Sequence, residues 1–258
     1  VAAIEIALER YRRPGILAIV LIGSLARGDE RPDSDVDLYL VATADGFAER
    51  SPSERRGFWD AETVDGIPGY DVKVATIDHL RDAVVRASDE TRACLDDARV
   101  LWAVDPSTAD DVSRLIERIN RPGDGYWSEH RASFLARAAI DCHFLVEGLA
   151  LGNRVMVASG SAHLVVSLGR VVLAHNRILY RGPKYLERQL ALADATPPDF
   201  AARLLALLDR PTAADAGALF GETWTLVGDA VPGDTLLTRY FEENELAWLT
   251  GVIPPEYR

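Results

Sequence analysis

Apolar and polar positions along the chain follow two different periods, and the change of period comes near residue 106. Before it, short apolar or alternating runs dominate. "VAAIEIALERYRR" opens the chain with an amphipathic helix pattern that carries charge throughout, unlike a signal peptide. "GILAIVLIG" (15–23) is continuously apolar and ends in Gly, as a buried central strand does. "DVDLYLVA" (35–42) alternates, with Asp35, Asp37 and Tyr39 on one face and Val36, Leu38 and Leu40 on the other. "SPSERRGFWDAE" (51–62), with Ser51 or Ser53 as cap, predicts a short helix. "YDVKVATI" (70–77) alternates again after the turn signal "DGIPG". Two helical segments follow, "TIDHLRDAVVRA" and "DETRACLDDA", and "RVLWAV" (99–104) predicts a last strand.

Beyond Asp105-Pro106 the spacing turns helical almost throughout, with no convincing strand. "STADDVSRLIERI" opens with a cap and an acidic first turn. Long helices are expected over 127–153 and 161–180, the second stopped by "RGPK". Shorter ones are expected near 183–194, 198–209, 212–230 and 234–250. There is no internal repeat. The fold class is therefore α+β: a mixed sheet with flanking helices over 1–106, then an all-helical bundle over 107–258.

Composition narrows this picture. The chain has 258 residues, 48% apolar and 26% charged, as a folded globular protein does. Its runs fall short of the about 18 apolar residues a membrane span requires. Cys94 and Cys142 lie far apart, without a CxxC, and read as buried free thiols of a cytoplasmic protein. The five histidines show no zinc-ligand spacing, and His143 and His175 read as packing residues. A net charge of −12 would repel a polyanion and attract a cation, which disfavours nucleic acid as the main partner.

The chemistry concentrates in "GSLARGDERPDSDVDLYL" (23–40), which holds five acidic residues beside the most apolar run. Asp35 and Asp37, at i and i+2 of a strand, point to one face and repel each other unless a cation offsets them. Divalent Mg²⁺ prefers such hard oxygen ligands and shares them with substrate phosphates. Two such ions can clamp the attacking and leaving oxygens of a phosphoryl transfer. Asp71, opening the next strand, is the third carboxylate expected there, with Asp65 or Asp78 as alternatives. Gly23 and Ser24 end a buried strand and start a turn whose backbone amides and hydroxyl suit phosphate oxygens. Arg27, one turn on, adds a charged donor for phosphate or a surface ion pair.

These residues resemble the signature of the DNA polymerase β-like nucleotidyltransferase superfamily. An apolar strand leads to Gly23-Ser24, ten residues follow, and Asp35-x-Asp37 comes next, with Asp71 on a later strand. The resemblance covers roughly residues 15–77. It implies a catalytic front domain with Asp35, Asp37 and Asp71 holding Mg²⁺, two ions expected, and an NTP, chiefly ATP, as co-substrate. The helical half is similar in architecture to the antibiotic nucleotidyltransferases acting on aminoglycosides or lincosamides, which implies transfer of AMP to a hydroxyl of a small, cationic acceptor. It is also similar to tRNA- or protein-modifying toxin enzymes, for which the basic stretch 170–188 is the candidate surface. A non-catalytic nucleotide-binding relative is the third reading, and loss of a carboxylate would mark it. In the helical half, Lys184 and Tyr185 begin a helix suited to nucleotide phosphates. Glu129, Asp141 and Glu147 are the candidate contacts to an acceptor amine. The sequence leaves open the acceptor, the base, the position modified and the oligomeric state.

Overall fold

The structure is a computed structural model that describes residues 2–31, 34–55, 57–61, 69–228, 233–251 and 253. The chain divides into two compact units, residues 1–122 and 123–258.

The first unit is built on a mixed sheet. After helix α1 (Ala2–Tyr11) come β1 (Ile16–Ile22), the short α2 (Gly23–Arg27), β2 (Val36–Ala42), α3 (Ala44–Ala48), β3 (Gly57–Asp60) and β4 (Tyr70–Thr76). Helices α4 (Ile77–Arg86) and α5 (Asp89–Cys94), strand β5 (Arg99–Ala103) and helix α6 (Pro106–Asn120) complete it. The strand order is β3-β4-β2-β1-β5. β2 and β4 run parallel, and the other neighbours are antiparallel.

Alternation along the strands decides what each face buries. Ile19 and Leu21, Leu38 and Leu40, and Val72 and Val74 pack under Ala3, Ala7 and Tyr11 of α1. Ala18, Val20, Ile22, Val41 and Ala75 face the other way, onto Leu80 of α4 and Val112, Leu115, Ile116 and Ile119 of α6. Each fully buried aliphatic side chain contributes about 1.5–3 kcal/mol. α6 therefore belongs to the sheet unit, and the division falls after Pro122, not at the expected residue 106. Arg92 ties α6 down: 1% exposed, it donates to the Val84, Ala87 and Ile119 carbonyls.

The helix expected over 51–62 does not form. Residues 51–55 make only a turn, in which the Ser51 hydroxyl donates to Glu54, and Gly57–Asp60 extend as an edge strand on β4. Asp60 is anchored there by Arg10 and the Tyr11 hydroxyl.

The second unit is helical, with no strand among its described residues. Helices α7 (Asp124–Leu151) and α8 (Arg154–His175) form a hairpin turned at Gly152-Asn153, where the Asn153 side chain caps α8. Gly160 lets the two helices approach: a Cβ there would lie 2.9 Å from the Leu145 Cα. α9 (Leu186–Leu190), preceded by a 3-10 turn at Pro183–Tyr185, and α10 (Phe200–Asp209) pack on this hairpin with α11 (Ala213–Val227). α12 (Leu236–Tyr240), a π turn at Phe241–Glu245 and α13 (Ala247–Thr250) follow. By length and composition α8 is apolar enough to cross a membrane, although Arg154, His163, Ser167 and Arg170 interrupt its apolar run. Here Leu164, Leu168, Val171 and Val172 are fully buried in the unit's core. The two cysteines are free but not buried: Cys94 is exposed and Cys142 half-buried.

Candidate active site

Parallel pairing of β2 with β4 places Asp37 directly opposite Asp71, and Tyr39 opposite Lys73. All four side chains share the sheet face that α4 and α6 cover farther along, at Val41 and Ala75. At the Asp37–Asp71 end the face is open: the two carboxylate side chains are 22% and 40% exposed. Two carboxylates in facing register repel, and the local answer is Lys73. Its Nζ donates to Asp71 Oδ2 at 2.7 Å and lies 3.8 Å from Asp37 Oδ1.

The Gly-Ser turn closes over Asp37. Gly23 has φ +74°, the left-handed region, and a Cβ on it would overlap the Asp37 carboxylate, with Cγ at 2.7 Å. Only glycine fits there. Ser24 lies in the first turn of α2, a five-residue helix whose start has no side-chain cap. Arg27, with a side chain 9% exposed, pairs with Asp29 at 3.3 Å. Its Nε is buried with no hydrogen-bond partner among the described residues.

Burial pushes the Asp37 carboxyl up to about 6, Lys73 opposes this, and the nearby Asp35 and Asp71 add to it. Lys73 is itself held above its ordinary value by its hydrogen bond to Asp71 and the charges of Asp71 and Asp37, against the opposing effect of burial. A cavity of about 670 Å³ opens beside the pair, lined by Tyr39, Phe47, Asp71, Lys73, His79 and Leu80 among others. Its walls are set by the start of α4, where Thr76 and His79 form a reciprocal capping box.

The sequence-predicted triad is only partly assembled. Asp37 and Asp71 meet. Asp35 precedes β2 and acts on Asp37 through its charge. Among the described residues, no group of three or more His, Cys, Asp or Glu side chains is gathered to hold a metal ion. The pair does fit a hard divalent cation in donor type, but Lys73 supplies the positive charge in this structure. Of the alternative third carboxylates, Asp78 points to solvent, 82% exposed and paired with Arg81. Asp65 lies outside the described residues. Lys73 is the site residue that sequence reasoning missed. Its i+2 spacing from Asp71 was the available signal.

The candidates of the helical half sit in the second unit. Lys184 is exposed, its ammonium 5.2 Å from the Tyr185 ring centre. Glu129 is paired with Arg239, and Glu147 lies exposed near His143. Asp141 is 3% exposed and accepts from Arg137 and Ser167. Burial raises its carboxyl above the ordinary range. That placement makes it an internal structural group, removed from any acceptor surface. Of the basic stretch 170–188, Arg170 is buried against Phe134 and Tyr180 and Arg177 pairs with Asp124, while Lys184 and Arg188 are exposed.

A mixed sheet that sets two carboxylates in facing register beside a Gly-Ser turn gathers hard oxygen donors on one open face. Residues 3–94 match the nucleotidyltransferase domain family, so the first unit carries a nucleotidyltransferase domain and the chain is a transferase. Among the solved structures it resembles is a nucleotidyltransferase-like protein from Exiguobacterium sibiricum 255-15. The two share 12% identity at a TM-score of 0.54, over 97% of this chain and 87% of that one. At that identity the likeness is one of fold. No curated protein matches the chain.

Proposed function

We propose that the protein moves a nucleoside monophosphate, AMP from ATP in the first instance, onto a hydroxyl of a small acceptor. The observation that carries this is the Asp37–Asp71 register pair beneath Gly23. Asp37 and Asp71, with Asp35 beside them, are the residues that would hold Mg²⁺, which when bound neutralises phosphate charge. Ser24 and the first amides of α2 would bind phosphate oxygens, with Arg27 as a further nucleotide contact. Asp71, the more exposed carboxylate of the pair, would take the acceptor's proton as its oxygen bonds to the α-phosphorus and pyrophosphate leaves.

Support for a cationic acceptor such as an aminoglycoside now comes from the net charge of −12 and the exposed Glu129 and Glu147. The tRNA reading keeps Arg177, Lys184 and Arg188 at the surface, while Arg170 is buried. The test is incubation with Mg²⁺ and each NTP against aminoglycosides, lincosamides and tRNA, followed by mass spectrometry of the acceptor. A gain of one nucleoside monophosphate, absent with Asp37→Asn, is expected. Nucleotide binding with no transfer to any acceptor would favour a non-catalytic sensor.

A further inference from the structure

Lys73 has no part in the reading above, yet it makes the closest contact in the site. Its ammonium lies 2.7 Å from Asp71 and 3.8 Å from Asp37, where it supplies the positive charge that a metal ion would otherwise bring. The ammonium is also 31% exposed and borders the open cavity lined by Phe47 and His79. It can therefore turn away without disturbing the core. We propose that Lys73 is an exchangeable counter-ion: in the metal-free protein it occupies the carboxylate pair, and divalent-cation binding displaces it into the neighbouring cavity. This inference rests on the metal-binding reading of Asp37 and Asp71.

The physical case is one of competing charges. Without a cation the facing carboxylates repel each other across the register pair. A lysine ammonium, a compact charge on a flexible stem, relieves that at no cost in backbone geometry. A divalent ion then has to replace an existing ion pair, so the metal-free site binds it more weakly than bare carboxylates would. Lys73 acts here as a positioning residue: it keeps the two carboxylates together while the site waits.

The test measures Mn²⁺ binding by electron paramagnetic resonance, without nucleotide, on wild type, Lys73→Met, Lys73→Arg and Asp37→Asn. Lys73→Met should bind Mn²⁺ more tightly by about tenfold or more, a small part of what contacting charges exchange at a partly exposed site. Lys73→Arg, which keeps the charge, should stay near wild type. Equal affinity in wild type and Lys73→Met overturns the exchange. So does tightening in Lys73→Arg to match Lys73→Met, since repacking and not charge would then be the cause. Binding that Asp37→Asn abolishes while Lys73→Met leaves unchanged refutes this inference alone. No Mn²⁺ binding by wild type or Lys73→Met at millimolar metal refutes the metal-binding reading beneath it. Circular dichroism melts confirm that each variant is folded.

Discussion

Asp37→Asn should stabilise the metal-free protein while removing its activity. In the native structure burial lifts the Asp37 carboxyl from its ordinary 3.8 to about 6. At about 1.4 kcal/mol per pH unit this is a penalty of about 3 kcal/mol on the ionised form. The side chain is 22% exposed, so solvent screening reduces the figure to about 1–2 kcal/mol. The sign follows from linkage. Between pH 4 and 6 the native state holds this proton more tightly than the unfolded chain, so stability falls as pH rises through that window. Above it the whole penalty is present. Asparagine, of nearly the same shape, carries no such charge, and Lys73 keeps Asp71 as its partner. In EDTA at pH 8, scanning calorimetry should find Asp37→Asn melting several degrees above wild type, at about 2–4 °C per kcal/mol. The gap should close toward pH 4. Added Mg²⁺ should raise the wild-type midpoint and leave the variant unmoved. A variant that melts below wild type at pH 8, or a gap independent of pH, would show that Asp37 is not a strained carboxylate.

Gly23→Ala should cost at least about 2 kcal/mol, from left-handed backbone strain and overlap with Asp37. Combining it with Asp37→Gly should recover the overlap part in a double-mutant cycle of thermal melts, and strict additivity would refute the contact. Arg92→Met leaves the Val84, Ala87 and Ile119 carbonyls without their donor and should destabilise the first unit by about 3 kcal/mol, read by denaturant unfolding.

Local pattern made much of the first unit legible. Residues 16–22 form a strand whose seven apolar side chains in a row pack on both faces of the sheet. Residues 36–42 and 70–76 read as strands from their alternation. The Gly-Ser step was informative because its spacing to Asp37 is one that a strand, a turn and a returning strand can satisfy. What local pattern missed depends on long-range pairing. Gly57–Asp60 is a strand because β4 offers it an edge, while its own residues, behind two serines, suit a helix start equally well. α6 has the amphipathic period of any bundle helix, and only the apolar sheet face it covers, at Val20 and Ala75, assigns it to the first unit.

The same distinction separates the site residues that were read from those that were not. Asp35 and Asp37 were singled out because two like charges on one strand face demand an explanation within a single segment. Asp141 looked like one more charge on a helix face, because periodicity along α7 cannot show that Arg137 and Ser167 take both its oxygens in the core. Lys73 obeys the two-residue rule that flagged Asp35 and Asp37, since it stands on the face of Asp71. A strand lysine alone reads as a solvated charge. It becomes part of the site only through the parallel register, which puts Asp37 opposite Asp71 and so brings one ammonium within reach of both carboxylates. Register is set by pairing between distant segments. A sequence in which the third carboxylate is followed two residues later by a lysine, on a strand parallel to the Asp-x-Asp strand, therefore carries the same expectation: the lysine guards the pair until a metal arrives.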